Sequence, residues 1–443
     1  MRVAQDVYFR KYGDQTYVRH VGLTKDFLMN ETAFDILDYL NHHEGSSLSQ
    51  LCEYLKREYE ISEDADFEKD IQEFTELLAE EGVLLLNDVQ PVGEEDIRAI
   101  VQQKCFDHHW LFTACLELTY RCNEKCIHCY ADTPYDSREE LSTEQYLNII
   151  NQLHDLGCMG VLLTGGEATL RQDFFEIAEY IKKKGMLVDV YTNGLMLSDA
   201  FLDRLIALHP NSVSFSFYGG TPGVHDLVTT VPGSFEKSLK SLMTVKCAGI
   251  DTYIKTVVMR QNVDDYENLL KLGRRLGTAI LTSISIMPSH GGKSAEQFRL
   301  LNREQYCKIL ELQEKYQAAD FGKEVHKRGK YICASGLDAL SIDPFGDVHP
   351  CNAHPLVLGN VKQRLLKDIW EKSEELLAMQ EIRPVNLDPK CNNCEDFDWC
   401  SVCMGSAIRE NGKLAPCSDT CMIANAYHCM YKIKKDQGKE ELI

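Results

Sequence analysis

The sequence contains no long run of apolar residues. Nowhere in its 443 residues do about 18 or more uncharged apolar residues follow one another, as a membrane-spanning helix requires. Residues 1–14, MRVAQDVYFRKYGD, likewise lack the apolar stretch of a secretory signal peptide. We therefore predict a cytoplasmic protein with no membrane partner.

Basic residues are few relative to acidic ones, with 47 Lys and Arg against 68 Asp and Glu and a formal net charge of −21. Nucleic-acid affinity comes largely from clustered Lys and Arg, so this balance predicts that nucleic acid is not a partner. The sequence also has no internal repeats and no low-complexity tract. Its length predicts two or three domains, and its 44% of apolar residues is sufficient for buried cores.

Cysteine, in contrast, is abundant, with 18 in the chain. Small secreted proteins use many cysteines as disulfides, whereas a large chain without a signal peptide uses them as metal ligands or catalytic thiols. Most of these cysteines fall in two groups, one near residue 126 and one after residue 333. This clustering favours metal sites. Six that stand apart are expected to be packing residues: Cys52, Cys105, Cys115, Cys158, Cys247 and Cys307.

Residues 1–90 have the pattern of a small winged-helix-like domain. Residues 7–21, VYFRKYGDQTYVRHV, contain a turn pair between two β-rich runs, which predicts a hairpin. Three helical patterns follow, the first capped at Asn30 and the second opened by a capping box at Ser47, before a strand-like VLLL at 83–86. DNA binding is the obvious role of such a domain. However, it has 8 Lys and Arg against 20 Asp and Glu, a net charge of −12.

Residues 91–112 are expected to form a polar, irregular linker. From residue 113 to about 287, within a domain expected over 113–320, short apolar runs alternate with amphipathic helical patterns in six strand–helix units. This order predicts a parallel sheet of continuously apolar strands covered by helices, and six units are too few for the usual eight-unit barrel. The fold class is therefore α/β, with a partial (β/α)6 barrel as its core. Residues 321–443 are a cysteine-rich segment with one clear helical stretch near 363–379, and we expect metal to order it.

The first cysteine group, Cys122-x3-Cys126-x2-Cys129-Tyr130, directly follows the first predicted strand of the barrel. Four thiolates complete the coordination of a [4Fe–4S] cluster, so three leave one iron open. Such an iron can chelate the amino and carboxylate groups of S-adenosylmethionine (SAM). An electron from the cluster then breaks the sulfonium bond and gives a 5′-deoxyadenosyl radical. The alternative is a zinc site, but structural zinc normally has four protein ligands, and His128 lies between two of the thiols.

The motif resembles that of the radical SAM superfamily, and the resemblance extends from about residue 113 to 287. Gly165-Gly166-Glu167 matches the GGE motif with which this family holds the SAM amino group, and its glycines permit close backbone approach. Ala168 stands where the family often has proline. The resemblance also implies SAM contacts from four residues at the matching aromatic and strand-end positions: Tyr130, Asn193, Ser216 and Lys255.

The second cysteine group extends over residues 333–429. A zinc ribbon places about 15–20 residues between its cysteine pairs, whereas the pairs at 391–394 and 400–403 are separated by five. The arrangement resembles the SPASM domain, an appendage of radical SAM enzymes that binds two auxiliary [4Fe–4S] clusters. The resemblance implies one set of Cys391, Cys394, Cys400 and either Cys417 or Cys421, and a second set of Cys333, Cys351 and Cys403. The family's cysteine shortly before Cys333 is absent, so one cluster has an open iron or a ligand from elsewhere.

A winged-helix unit ahead of a radical SAM core resembles the peptide-recognition element of enzymes that modify ribosomally made peptides (RiPPs), including sactipeptide and ranthipeptide maturases. Such elements bind a leader peptide as an added β-strand. The resemblance implies a maturase that links a cysteine sulfur to a carbon of another residue and receives electrons from an external donor. The alternatives are a maturase that forms carbon–carbon links or epimerises residues, an anaerobic sulfatase-maturing-type enzyme, and a non-enzymatic iron–sulfur DNA-binding regulator.

Overall fold

The computed structural model describes residues 1–4, 7–21, 23, 25–43, 45–59, 61, 67–84, 97–131, 138–195, 197–316 and 331–436. The first strands form an antiparallel sheet in the order β1 (Val7–Tyr12), β2 (Gln15–His20) and β3 (Lys25–Asn30). Three helices follow: α1 (Glu31–His42), α2 (Leu48–Glu58) and α3 (Phe67–Glu80). The predicted hairpin and helices are therefore confirmed, and β3 is an additional strand paired with β2.

Local capping explains where α1 and α2 begin. The Asn30 side chain accepts a hydrogen bond from the Ala33 N–H at 3.1 Å, and Ser47 and Gln50 form both halves of a capping box. The strand predicted at 83–86 is reduced to one bridge between Val3 and Leu84, and residues 85 and 86 lie outside the described residues.

The segment expected to be an irregular linker contains a helix, α4 (Ile97–His108). Val101 and Cys105, four residues apart, are buried against an aromatic cluster that includes Tyr12 and Phe112. The expectation of an irregular segment was wrong because the local sequence is polar overall, and only contacts from both neighbouring units bury these two side chains.

The core sheet has the six predicted parallel strands, each hydrogen-bonded to the next along the chain. These strands are β4 (Thr113–Glu117), β5 (Gly160–Thr164), β6 (Leu187–Thr192), β7 (Ser212–Ser216), β8 (Thr252–Val257) and β9 (Ala279–Ser283). The helices around them are α5 (Thr143–Asp155), α6 (Phe174–Lys183), α7 (Asp199–Leu208), α8 (Pro222–Thr229), α9 (Ser234–Cys247), α10 (Tyr266–Leu276) and α11 (Arg303–Lys315). The α/β parallel-sheet fold class is confirmed.

The C-terminal segment adds three strands to the same sheet. β10 (Ala339–Ile342) pairs in parallel with β4, and β11 (Asp347–His349) and β12 (Gly359–Asn360) continue antiparallel from it. Among the described residues, β12 and β9 are the edges of a nine-stranded sheet. The expected single helical stretch near 363–379 is two short helices, and three further helices follow. These five are α12 (Leu366–Lys372), α13 (Glu374–Gln380), α14 (Pro389–Asn392), α15 (Met404–Asn411) and α16 (Ser418–Asp436).

We expected strands with two apolar faces, as in a sheet covered by helices on both sides, and this expectation was wrong. Side chains alternate between the two faces of a strand, and one face packs Leu116, Val188 and Ile254 into the main core. The other face carries Glu117 and Lys255 and borders a cavity in an open barrel. None of the helices within the described ranges combines the length and apolar character needed to cross a membrane.

Candidate functional site

The carboxyl ends of the barrel strands surround a cavity of about 460 Å³. Parallel strands bring their carboxyl ends to one edge of the sheet, so residues distant in sequence meet there. Ten predicted site residues of the barrel line this cavity: Cys122, Cys126, Cys129, Tyr130, Gly165, Gly166, Glu167, Asn193, Ser216 and Lys255.

The three thiols lie in a loop that is held by its own backbone and by α8. Ile127 donates its N–H to the Val228 carbonyl at 3.0 Å. Burial raises the pKa of Cys122 to about 12, and the backbone N–H of Glu124, 3.4 Å from this sulfur, opposes that effect. The pKa of Cys126 is also raised, first by burial and then by the Glu124 carboxylate and the other two thiols.

The triad fits an iron–sulfur cluster in the chemistry of its donors. Thiols with raised pKa values ionise when a cation binds, because the metal compensates the charge that burial disfavours. In the part of the chain that the structure describes, no three His, Cys, Asp or Glu side chains converge as the ligands of one metal ion would. The fit therefore depends on the shared cavity and on the electrostatic proximity of the three thiols.

The double glycine allows two backbone segments to touch. Gly165 has φ +133°, and a Cβ on it would lie 2.3 Å from the Thr119 carbonyl oxygen. A Cβ on Gly166 would lie 2.5 Å from the Arg121 oxygen. The Gly166 and Glu167 N–H groups donate to these two carbonyls at 2.7 and 2.9 Å. The expected close approach is thus made by the segment that leads into the cysteine loop.

The Glu167 carboxylate is buried and well supplied with donors. It accepts hydrogen bonds from the Thr169 hydroxyl at 2.6 Å, the Thr192 hydroxyl at 2.9 Å and the Asn193 N–H at 2.7 Å. Burial raises its pKa, and these donors act in the opposite direction. A carboxylate held in this way is suited to an ammonium group in the cavity. The two threonines were not recognised as site residues from the sequence.

Asn193 ties the turn after β6 to the cysteine loop. Its amide nitrogen donates to the Asn123 side chain at 2.6 Å and lies 3.8 Å from the Cys122 sulfur. The Asn193 carbonyl accepts the Ser238 hydroxyl at 2.5 Å. The turn is therefore fixed from both sides, and Asn123 is a residue of the cysteine loop that the motif comparison did not include.

Lys255 is less free than a surface lysine. Its ammonium lies 3.8 Å from the centre of the Tyr191 ring and contacts the Tyr191 hydroxyl. Burial lowers its pKa to about 8, with Cys115 and Asp189 acting in the other direction. Ser216 lies beside it on β7, in register with Lys255 on β8. The pair forms one polar wall of the cavity.

Glu117 is a buried carboxylate that the sequence analysis did not single out. Its two oxygens accept hydrogen bonds from the Tyr130 hydroxyl at 3.0 Å and the Tyr120 hydroxyl at 3.2 Å. Burial raises its pKa to about 7, although both hydroxyls lower it. Period-two alternation around Leu116 was the only signal in the sequence that placed Glu117 on the inner face.

The Glu117→Gln variant should reveal this raised pKa in its pH dependence. The acid form is favoured in the fold, so the contribution of Glu117 to stability is present below its unfolded pKa of about 4.3 and lost as pH rises through about 7. The variant does not titrate. Its stability relative to the unmodified protein should therefore improve by roughly 2 kcal/mol between pH 5 and pH 8. Urea unfolding of both proteins at the two pH values measures this, and an unchanged difference would contradict it.

Electrostatic interactions between their thiols group the later cysteines into two sets. The first, here called the distal set, contains Cys391, Cys394, Cys400 and Cys421: burial, then the three other thiols, raises the pKa of Cys400 to about 12. The proximal set contains Cys333, Cys351 and Cys403: burial raises the pKa of Cys333 to about 11, and the other two thiols add to this. Cys403 also lines the cavity, so the proximal set borders the site of the triad.

Cys417, the other late candidate, has a different environment. It is 4% exposed, and its thiol lies 3.3 Å from the Glu410 carboxylate and 3.9 Å from the Arg299 guanidinium. Cys421 lies one helical turn further on, with its N–H donating to the Cys417 carbonyl at 3.0 Å. The structure therefore brings Cys421, and not Cys417, into the distal set.

The fold is an open α/β barrel that carries a loop of three cysteines at the carboxyl ends of its strands. Comparison with known families identifies its class. The radical SAM superfamily matches residues 116–273, the iron–sulfur cluster-binding SPASM domain matches 333–395, and coenzyme PQQ synthesis protein D (PqqD) matches 24–84. The chain belongs to the radical SAM superfamily, whose cofactors are a [4Fe–4S] cluster and SAM, with auxiliary clusters in the SPASM domain.

Curated relatives cover most of the chain. The mycofactocin maturase MftC of Mycolicibacterium smegmatis is 31% identical over 64% of this chain and 75% of its own. An AdoMet-dependent heme synthase of Methanosarcina barkeri is 26% identical over 67% and 92%. The PqqA peptide cyclase of Granulibacter bethesdensis is 25% identical over 73% and 90%.

A solved structure shares the three-part architecture. Streptococcus suis SuiB, bound to its precursor peptide SuiA, superposes with a TM-score of 0.62 over 95% of this chain and 99% of its own, at 13% identity. The similarity therefore includes the N-terminal unit as well as the barrel and the cysteine-rich segment.

Proposed function

We propose that this chain is a peptide maturase that modifies a ribosomally made precursor and forms thioether links from cysteine sulfurs. The observation that carries the proposal is a PqqD-type domain packed directly on a radical SAM barrel. MftC is named as a maturase, the PqqA peptide cyclase is named for a peptide, and SuiB was solved bound to a precursor peptide. The heme synthase relative shares the core, so the choice of a peptide substrate rests on this N-terminal domain.

The N-terminal domain is docked through polar contacts as well as apolar ones. The Tyr12 hydroxyl donates to the Gly157 carbonyl at 2.9 Å, and the Arg10 guanidinium donates to the Lys184 carbonyl at 2.8 Å. Tyr12 and Tyr17 also pack on Phe112, immediately before β4. A leader peptide held by this domain is thereby kept near the barrel, which raises the local concentration of the segment to be modified.

Each part of the site has a distinct role in this proposal. When bound, SAM and the reduced cluster supply the 5′-deoxyadenosyl radical that removes a hydrogen atom from the substrate. The triad holds that cluster, and Glu167, Asn193, Ser216 and Lys255 orient SAM. The distal and proximal sets would hold auxiliary clusters, and a cluster at the proximal set, whose Cys403 lines the cavity, would supply an acceptor for the electron that leaves the substrate.

Three further proposals concern the partners and the location of the chain. The chain receives electrons from an external donor, works in the cytoplasm and does not bind nucleic acid. A non-enzymatic DNA-binding regulator would need a basic surface, whereas the first 90 residues carry a net charge of −12. A mobility-shift assay with promoter DNA tests this point, and a specific shift at physiological salt would contradict it.

Mass spectrometry of a reacted precursor after thiol alkylation tests the thioether. Removing one hydrogen atom and then one electron and one proton costs the peptide two hydrogens per link. We expect that loss together with one cysteine per link that resists alkylation. The same loss with every thiol free would indicate a carbon–carbon link. No loss in water, with deuterium entering at an α-carbon in heavy water, would indicate epimerisation. Either result would replace the thioether proposal.

A further inference from the structure

A buried network of charged side chains joins the C-terminal helices to the wall of the cavity. Arg299 is paired with Asp419 at 3.5 Å and with Glu410, and Arg299 and Asp419 are 7% and 1% exposed. Tyr306 on α11 donates its hydroxyl to the second oxygen of Asp419. Removing one member of a buried pair leaves an uncompensated charge, so these side chains are not free to rearrange independently.

The network holds both backbone groups of one residue, Ile286. The Ile286 N–H donates to Asp419 at 2.8 Å, and the Ile286 carbonyl accepts from the Arg299 Nε at 3.2 Å and Nη2 at 2.9 Å. Ile286 lines the reaction cavity and follows β9, an edge strand among the described residues. Its position is therefore fixed by Asp419 of the C-terminal segment together with Arg299, which lies between β9 and α11.

The other end of the network lies at the cysteines of the distal set. Asp419 is in the first turn of α16, two residues before Cys421. Glu410 lies near the end of α15, whose N-cap is Cys403 of the proximal set. A cluster bound through Cys421 would immobilise the turn that carries Asp419.

We propose that Arg299 and Asp419 are positioning residues that couple occupation of the distal set to the shape of the reaction cavity at Ile286. This inference rests on the proposed ligand role of Cys421. Metal bound at the distal set fixes the first turn of α16, and Asp419 passes that constraint to the Ile286 N–H. Because coupling of two sites is reciprocal, a loosened Asp419 must also weaken retention of the distal iron.

Amide hydrogen exchange on the complete protein with its clusters tests the forward direction. Cys421→Ala leaves every member of the network in place but removes one distal ligand. We expect the Ile286 amide to exchange on the order of tenfold faster in this variant, the effect of losing about one hydrogen bond. The Val258 amide, bonded to the Ser283 carbonyl at 2.9 Å, should be unchanged, which excludes general loosening. Cys429→Ala, on the same helix and outside both sets, is the matched control and should match the unmodified protein.

Two different failures are distinguishable in this experiment. If Cys421→Ala keeps its full iron content, Cys421 is not a ligand and the inference falls with that assignment. If iron is lost while the Ile286 amide exchanges as in the unmodified protein, the ligand assignment stands and the coupling is refuted.

The reverse direction uses a variant that retains every cysteine. Tyr306→Phe removes only the hydroxyl that contacts Asp419. Iron release to a chelator should be about threefold faster, as expected for a hydrogen bond worth about 0.7 kcal/mol. Tyr316, the C-cap residue of α11, donates its hydroxyl to Glu267 of α10, and Tyr316→Phe should release iron at the original rate. Equal release from Tyr306→Phe and Tyr316→Phe would overturn the coupling.

Discussion

Replacing Cys122, Cys126 and Cys129 together by Ala should abolish reductive SAM cleavage, leaving no measurable 5′-deoxyadenosine under reducing conditions. The three thiols share one cavity with the glycine turn and Glu167, and Cys403 of the proximal set is the only other cysteine among the described residues that lines it. The distal and proximal sets lie in the C-terminal segment and should keep their iron. With three [4Fe–4S] clusters in the starting protein, roughly two-thirds of the iron should remain.

The control for this experiment is Cys247→Ala, which removes an exposed cysteine at the end of α9. It should cleave SAM at the original rate and keep all of its iron. Residual 5′-deoxyadenosine from the triple variant would overturn the assignment of the triad. Loss of all iron would show instead that the barrel and the C-terminal segment do not hold their clusters independently.

Deleting residues 1–90 should separate SAM cleavage from peptide modification. The deletion leaves the triad and both auxiliary sets in the chain, so SAM cleavage without peptide should continue in the presence of dithionite. Modification of a full-length precursor should fall by about 100-fold or more. Leader capture makes binding of the core peptide intramolecular, and a gain of about 100-fold or more is typical of such linkage. Parallel assays of 5′-deoxyadenosine and of modified precursor measure the two activities.

The same deletion also exposes apolar residues on the surface of the barrel. The deletion uncovers Phe112, Met159 and Leu187, which pack on Tyr12 and Tyr17 in the complete chain. The SAM assay therefore also reports whether the barrel has folded without its N-terminal partner. Undiminished modification of the precursor by the truncated enzyme would contradict the recognition role.

Contiguous motifs were predictable from the sequence because their function depends on local spacing. The Cys122–Cys129 loop, the double glycine and the Asn193 turn each occupy a few consecutive residues at a strand end, and all of them line one cavity. Parallel topology brings successive strand ends to one edge of the sheet, so these separate motifs were expected to meet there. The six barrel strands and the first three helices were predictable for the same reason, from periodicity and caps.

Features that depend on contacts between distant segments were not predictable. The helix Ile97–His108 is polar in sequence, and Val101 and Cys105 become core residues only between two domains. Strand β10 completes the sheet only because β4 presents a free edge to it. Short segments of this kind have ambiguous periodicity, and burial by distant partners decides their conformation.

By itself, the sequence determined the fold class, the cysteine triad and the cofactor chemistry, because each resides in a local pattern of residue types. The tertiary structure decided which late cysteine lies with the distal set. Cys417 immediately precedes α16 and packs against Arg299, whereas Cys421, in the first turn of that helix, lies near the thiols of Cys391 and Cys394. The tertiary structure also decided that Glu117 is buried between two tyrosines. The position of Cys421 and the burial of Glu117 both depend on proximity in space, which spacing along the chain does not encode.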